Sequence, residues 1–273
     1  VVRLFADASI RLSVSSRGYR PTLSLPGFDT KILKPRAIVE MLQAGARDVG
    51  FAGKDWVNEH GADLVELLDT ELNPVRLVAA APDGILENGK LPAAVGGKPL
   101  VVASEYVKLA EDWISANGLN ATLLPSYGAT EVLPPDDADC IIDNTATGAT
   151  LEANGLTIID DLMRSSTRLY ASPKAMDDPA RRDRIEHLAL LLRSVLEARK
   201  RVTIELNVGP EMLDKVVDVL PCMREPTVSQ LHHGAGYAVK AAVPKAELTR
   251  IISDVRERGG TDIIVSTIEQ IIP

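Results

Sequence analysis

Short apolar runs rich in β-branched residues alternate along this chain with helical hydrophobic spacing, and that alternation calls for α/β layering rather than a β-sandwich. Thr30, Ile32 and Leu33, and then residues 49–52, read as strands around a helix over 35–43, with Pro35 in its first turn and Gly45 as its stop. Residues 75–81 form a further strand, and a loop rich in Pro and Gly over 82–97 marks a lobe boundary. Beyond it come a strand over 99–103, a helix over 107–117 stopped at Gly118, and strands at Leu123-Leu124 and over 140–143. The runs 156–159 and 168–172 are two more strands that can carry the chain back to the first lobe. A helix over 179–199 follows the start signal Asp177-Asp178 and gathers Ile185, Leu188, Leu192, Val195 and Leu196 on one face. The remaining patterns, strand 202–206, helix 211–219, strands 227–231 and 237–243, helix 245–258 and strand 263–266, have the βαββαβ order of a ferredoxin-like unit.

The chemistry concentrates where the run Cys140-Ile141-Ile142 feeds the turn Asp143-Asn144-Thr145-Ala146-Thr147-Gly148-Ala149-Thr150-Leu151. An acidic residue leaves the strand, a hydroxyl-rich turn follows, and Gly148 lets the backbone approach a ligand before a short helix. Amides at the helix start and the hydroxyls of Thr145, Thr147 and Thr150 suit a sugar 5-phosphate, and Asp143 suits ribose hydroxyls or a hydrated cation. Plain helix capping is the alternative reading of such a turn.

This segment and its continuation Glu152-Ala153-Asn154-Gly155-Leu156 resemble the phosphoribosyl-diphosphate loop of the ATP phosphoribosyltransferases, the enzymes that open histidine biosynthesis. Four further blocks agree in order and spacing, a stricter condition than one motif. They are Arg47-Asp48-Val49-Gly50-Phe51-Ala52-Gly53-Lys54-Asp55, Val101-Val102-Ala103-Ser104-Glu105-Tyr106, Gly128-Ala129-Thr130-Glu131 and Ser165-Ser166-Thr167-Arg168-Leu169. The resemblance implies a type II periplasmic-binding-protein-like catalytic region of two lobes, residues 1–81 with 165–198 and residues 82–164. A ferredoxin-like regulatory domain over 199–273 completes the long form of the enzyme. The implied reaction moves the phosphoribosyl group to N1 of the ATP adenine and releases pyrophosphate, with Mg²⁺ held mainly by pyrophosphate.

Carried over residue by residue, the resemblance gives Asp143, Glu131 and Arg36 catalytic roles, and gives Asp143, Thr145, Ala146, Thr147, Gly148, Ala149 and Thr150 the donor. ATP falls to Tyr106, as an adenine-stacking ring, with Asp48, Gly50, Gly53 and Arg36; a Tyr covering the strand–helix junction is the alternative reading of Tyr106. Inhibitory histidine falls to Asn207, Met223 and Thr227, where Asn207 replaces an acidic residue and cannot pair with the ligand ammonium as a carboxylate would. Homo-oligomers from dimer to hexamer are implied. The family's first strand and Lys-Gly-Arg turn have no counterpart here, so the chain is expected to be an N-terminally incomplete piece of a normal enzyme. A non-catalytic two-lobed sensor with a ferredoxin-like effector domain is the competing reading.

Composition narrows the classes without choosing among them. No apolar run reaches the roughly 18 residues that cross a bilayer, which points to a cytoplasmic protein with no membrane partner. A net charge of −8 argues against a general nucleic-acid surface, so phosphate recognition has to be local. The four histidines show no transition-metal spacing, and Cys140 and Cys222 read as reduced.

Overall fold

The computed structural model describes residues 1–14 and 18–272. The chain divides into two compact units, Val1–Thr30 with His187–Pro273, and Lys31–Glu186. The first segment contributes a short helix, α1 (Val2–Asp7), and a two-stranded ribbon, β1 (Leu12–Ser13) with β2 (Thr22–Leu23).

The unit Lys31–Glu186 begins with α2 (Pro35–Gln43), β3 (Val49–Gly53) and α3 (Lys54–Glu59). Pro35 takes the first helical position of α2, where its missing N–H leaves no bond unmade, and Val39 and Leu42 are its buried face. The strand expected around Thr30, Ile32 and Leu33 is not formed: those residues carry no regular structure, and Lys34 before Pro35 is extended. Then come β4 (Val65–Pro82), β5 (Leu100–Ser104), α4 (Val107–Ala116), β6 (Ala121–Pro125), β7 (Cys140–Thr145), α5 (Ala149–Ala153), β8 (Leu156–Ala171), α6 (Pro173–Asp177) and α7 (Pro179–Arg199), which passes into the other unit.

The six strands form one mixed sheet in the order β3-β8-β4-β7-β5-β6. β7, β5 and β6 are parallel, and the remaining pairs are antiparallel. β4 and β8 are long enough to serve two lobes. Where Val65–Asp69 of β4 meets Arg168–Ala171 of β8, β3 completes the sheet; where Arg76–Ala80 of β4 runs, β7 pairs on its other side. Each half has its own core. Val39, Leu42, Ala52 and Tyr170 pack in the first, and Leu77, Ala79, Val102, Cys140 and Ile142 in the second. This is the mixed α/β, two-lobed architecture that the resemblance implies.

In the other unit, β9 (Arg201–Val208), α8 (Leu213–Val217), β10 (Thr227–Gln230), β11 (Tyr237–Pro244), α9 (Leu248–Glu257) and β12 (Thr261–Thr267) form the expected ferredoxin-like domain. Its antiparallel sheet runs β10-β11-β9-β12, so the first and third strands are central. Strict alternation makes this possible: Val202, Ile204, Leu206 and Val208 of β9 all point into a core with Val239, Val243, Ile251 and Val255. Thr203, Glu205 and Asn207 take the opposite face.

Candidate active site

The donor-type turn begins two residues later than expected, because β7 continues through Asp143 and Asn144 to Thr145, with Asp143 opposite Val78 of β4. Its geometry is that of an open loop. Ala146, Thr147, Ala149 and Thr150 are exposed, and Gly148 holds φ +86, a left-handed conformation that suits a residue without Cβ. Thr145 is buried and accepts a bond from the Gly148 amide at 2.9 Å, while Thr147 accepts from Ala149 at 3.3 Å. Two of the hydroxyls assigned to phosphate therefore also shape the turn.

Asp143 stands at the mouth of this turn, half-buried, with the Asn144 amide donating to its Oδ1 at 2.7 Å. Burial pushes its carboxyl up to about 6, the Asn144 amide opposes this, and the charges of Glu131 and Glu105 add to the rise. Glu131 is therefore near enough for its charge to act on Asp143, and it sits on a short 3-10 turn, Thr130–Val132, where the Ser126 and Thr130 hydroxyls pair at 2.7 Å.

Next to these acids lies a cleft of about 400 Å³. Lys34, Arg36, Trp56, Tyr106, Tyr127 and Asn144 are among its lining residues. Arg36 is brought in as expected, its Nε 3.0 Å from Glu40 one turn on. Lys34, Trp56, Tyr127 and Asn144 were missed, since nothing in sequence marks residues that become neighbours only when α2, α3 and β7 converge.

Tyr106 is a correction. Its ring is 1% exposed, packed on Trp56 with centroids 4.8 Å apart, and its hydroxyl donates to Asp55 at 2.7 Å. A ring covered in this way has no face left for adenine, so Tyr106 caps the strand–helix junction. Tyr127, 88% exposed and lining the same cleft, is an aromatic with a free face. The α4 N-terminus is also taken, because the Glu59 carboxylate accepts from the Lys108 and Leu109 amides at 3.0 Å each.

Asp48 and Gly50 lie away from the cleft. Asp48 precedes β3, at the strand end opposite Gly53, and pairs with Arg181 at 2.8 Å. Gly50 lets α2 pack closely, since a Cβ there would meet Ile38 at 2.8 Å. Gly53 packs against buried Asp55, since a Cβ there would fall 2.1 Å from Asp55 Oδ1, and neither residue is among those lining the cleft.

In the ferredoxin-like domain Met223 and Thr227 line one pocket with Thr203 and Lys240, but Asn207 is not among its residues. It shares the open sheet face with Thr227 but lies beside β12, where its Nδ2 meets Asp262 Oδ2 at 3.1 Å. Burial pushes the Cys140 thiol up to about 12, which removes it as a nucleophile.

The family model described as ATP phosphoribosyltransferase matches residues 34–194, and that of the enzyme's C-terminal domain matches residues 198–270. The chain belongs to the ATP phosphoribosyltransferase family. The family's enzyme from Pelotomaculum thermopropionicum is 35% identical over 99% of this chain and 94% of its own length. That from Chlorobium phaeovibrioides is 33% identical over 99% and 92%. Among solved structures, the ATP phosphoribosyl transferase (HisG:HisZ) complex from Thermotoga maritima superposes with a TM-score of 0.61 at 21% identity. It covers 71% of this chain and 91% of the matched one, a likeness that concerns the fold. No helix among the described residues is long and apolar enough to cross a membrane.

Proposed function

We propose that this chain transfers the 5-phosphoribosyl group of phosphoribosyl diphosphate to N1 of the ATP adenine, the first step of L-histidine biosynthesis, in the cytoplasm. The observation that carries this reading is the turn 145–150, exposed from Ala146 onward apart from half-buried Gly148, beside the Asp143 carboxylate. As N1 bonds to C1 of the ribose, the C1–oxygen bond breaks and pyrophosphate leaves with the electron pair. The protein's part is orientation and charge stabilisation, with no covalent nucleophile. The turn residues Thr145 to Thr150 hold the 5-phosphate, Asp143 the ribose hydroxyls, and Arg36 with Lys34 the polyphosphate of ATP, which their fixed positive charges suit. Glu131 keeps the wall beside C1 negative as the sugar becomes cationic. Adenine stacks on Tyr127 rather than on Tyr106.

Among the described residues no group of three or more His, Cys, Asp or Glu is arranged to hold a metal ion alone. The mutual repulsion of Asp143, Glu131 and Glu105 nevertheless favours a cation at that spot. A Mg²⁺ brought with the substrate would fit this, and Asp143 would be the residue to help hold it beside the pyrophosphate. When bound it neutralises charge on the leaving group.

Residues 82–164 act as the donor lobe, the parts of 1–81 and 165–198 that fall within Lys31–Glu186 as the nucleotide lobe, and residues 199–273 as the domain that binds histidine as an inhibitor and supports assembly from dimer to hexamer. Met223 and Thr227 supply the inhibitor pocket, with Asn207 outside it on the same open sheet face. The decisive assay mixes ATP, phosphoribosyl diphosphate and Mg²⁺ with the protein and follows the absorbance of the adenine-N1 product. Wild type forms it and Asp143→Ala loses it by at least about 100-fold, the scale of removing a transition-state contact. Equal rates for the two proteins would refute the assignment.

A further inference from the structure

Behind the cleft sits a carboxylate that the proposed reaction does not touch. Asp55 is 5% exposed, and its two oxygens accept from Tyr106 Oη and Ser165 Oγ, each at 2.7 Å. A buried carboxylate is tolerated only when hydrogen bonds replace its lost water, and here hydroxyls from β8 and from the β5–α4 junction do so. The direction of these bonds is fixed by chemistry. An ionised carboxylate only accepts, so Tyr106 commits its one proton to Asp55. Burial and the Asp55 charge hold the Tyr106 phenol far above its ordinary range, so it keeps that proton at any working pH.

The Tyr106 oxygen is then left as an acceptor, and Asn144 Nδ2 donates to it at 3.1 Å. The same nitrogen lies 3.4 Å from Asp143 Oδ1. An Asn amide can normally rotate by half a turn and exchange donor for acceptor at little expense. This one cannot, because a carbonyl oxygen turned toward Tyr106 would meet an oxygen with no proton to offer. The nitrogen therefore stays inward, and Oδ1 remains as the acceptor of an exposed side chain that lines the cleft, one residue from Asp143.

We infer that Asn144 determines specificity for the donor sugar, its side-chain carbonyl being held by the Asp55–Tyr106 pair as a fixed acceptor for a ribose hydroxyl. The inference rests on the proposed reaction and deepens it. A fixed acceptor rejects a sugar lacking that hydroxyl strongly, since the analogue leaves a polar group unpaired. Asn144 is part of the binding machinery, and Tyr106 acts through it as a positioning residue.

The test is a double-mutant cycle of Asn144→Ala and Tyr106→Phe, with both substrates varied and Tm measured for each protein. Each single change raises KM for phosphoribosyl diphosphate by about tenfold, the size of one lost hydrogen bond, and leaves KM for ATP within about twofold. The double variant is no worse than the worse single one, because both remove the same contact. Multiplying effects overturn the relay, and a rise confined to KM for ATP moves Asn144 to the adenine and overturns the inference. Should Tyr106→Phe fail to fold, the exposed Asn144→Ala still decides through its KM split. Wild type that binds the donor but turns nothing over refutes the proposed reaction alone. In that case equilibrium binding of phosphoribosyl diphosphate to wild type and Asn144→Ala still reads the sugar contact.

Discussion

Asp143 is placed where function and stability pull in opposite directions. Folded, its carboxyl titrates at about 6 against an ordinary 3.8, because burial and the neighbouring Glu131 and Glu105 disfavour the charge. The folded state therefore binds more protons than the unfolded chain between these two values, and its stability falls as pH rises through that window. Asp143→Asn removes the charge and is expected to raise stability by about 1–2 kcal/mol above pH ~7, after allowance for solvent at a half-buried site. The gain vanishes toward pH ~3.5, which urea titrations at the two pH values would show. Activity runs the other way, with kcat/KM of wild type falling as pH drops through about 6. At the same scale, Tyr127→Ala should raise KM for ATP by about tenfold or more, a stacking contribution that steady-state kinetics reads directly. The turn at 143–151 was legible because Gly148 and the threonine hydroxyls that shape it mark it locally. Tyr106 was not, since what covers it, Trp56 and Asp55, stands about fifty positions earlier in the chain and meets it only after folding.

Among the elements, α2 and α7 follow their sequence signals to the residue, because Pro35 and Asp177-Asp178 set the starts and the apolar spacing needs no partner to be seen. The two long strands were legible only at their apolar ends. The middle of β8, Asp160-Asp161-Leu162-Met163-Arg164-Ser165-Ser166-Thr167, has weak strand propensity, and so does the opposing stretch Asp69 to Pro74 with its bulges. Cross-strand chemistry holds them instead. Arg76 forks onto Asp161 with its Nη2 2.8 Å from Oδ2, and Arg168 bonds Glu66 at 2.7 Å and Asp69 at 3.0 Å. Arg168→Leu should cost about 1–3 kcal/mol in urea unfolding, because two acids lose their cation, and Arg168→Lys should recover only part of it for want of a fork.

For the whole molecule, the order βαββαβ was readable from alternation alone, and the sheet order follows from it. The division of the chain was less legible: residues 1–30 join the unit of the ferredoxin-like domain, a long-range association that no local pattern announces. Regulation is a property at this scale. Saturating histidine is expected to depress initial rates, and Thr227→Ala to weaken that effect by about tenfold, as loss of one hydrogen bond would. Rates that ignore histidine altogether would leave the domain with assembly as its remaining role. Finally, β4 and β8 belong to both halves of their sheet at once. Cutting the two halves apart would sever both shared strands mid-length, so neither half is expected to fold when expressed alone.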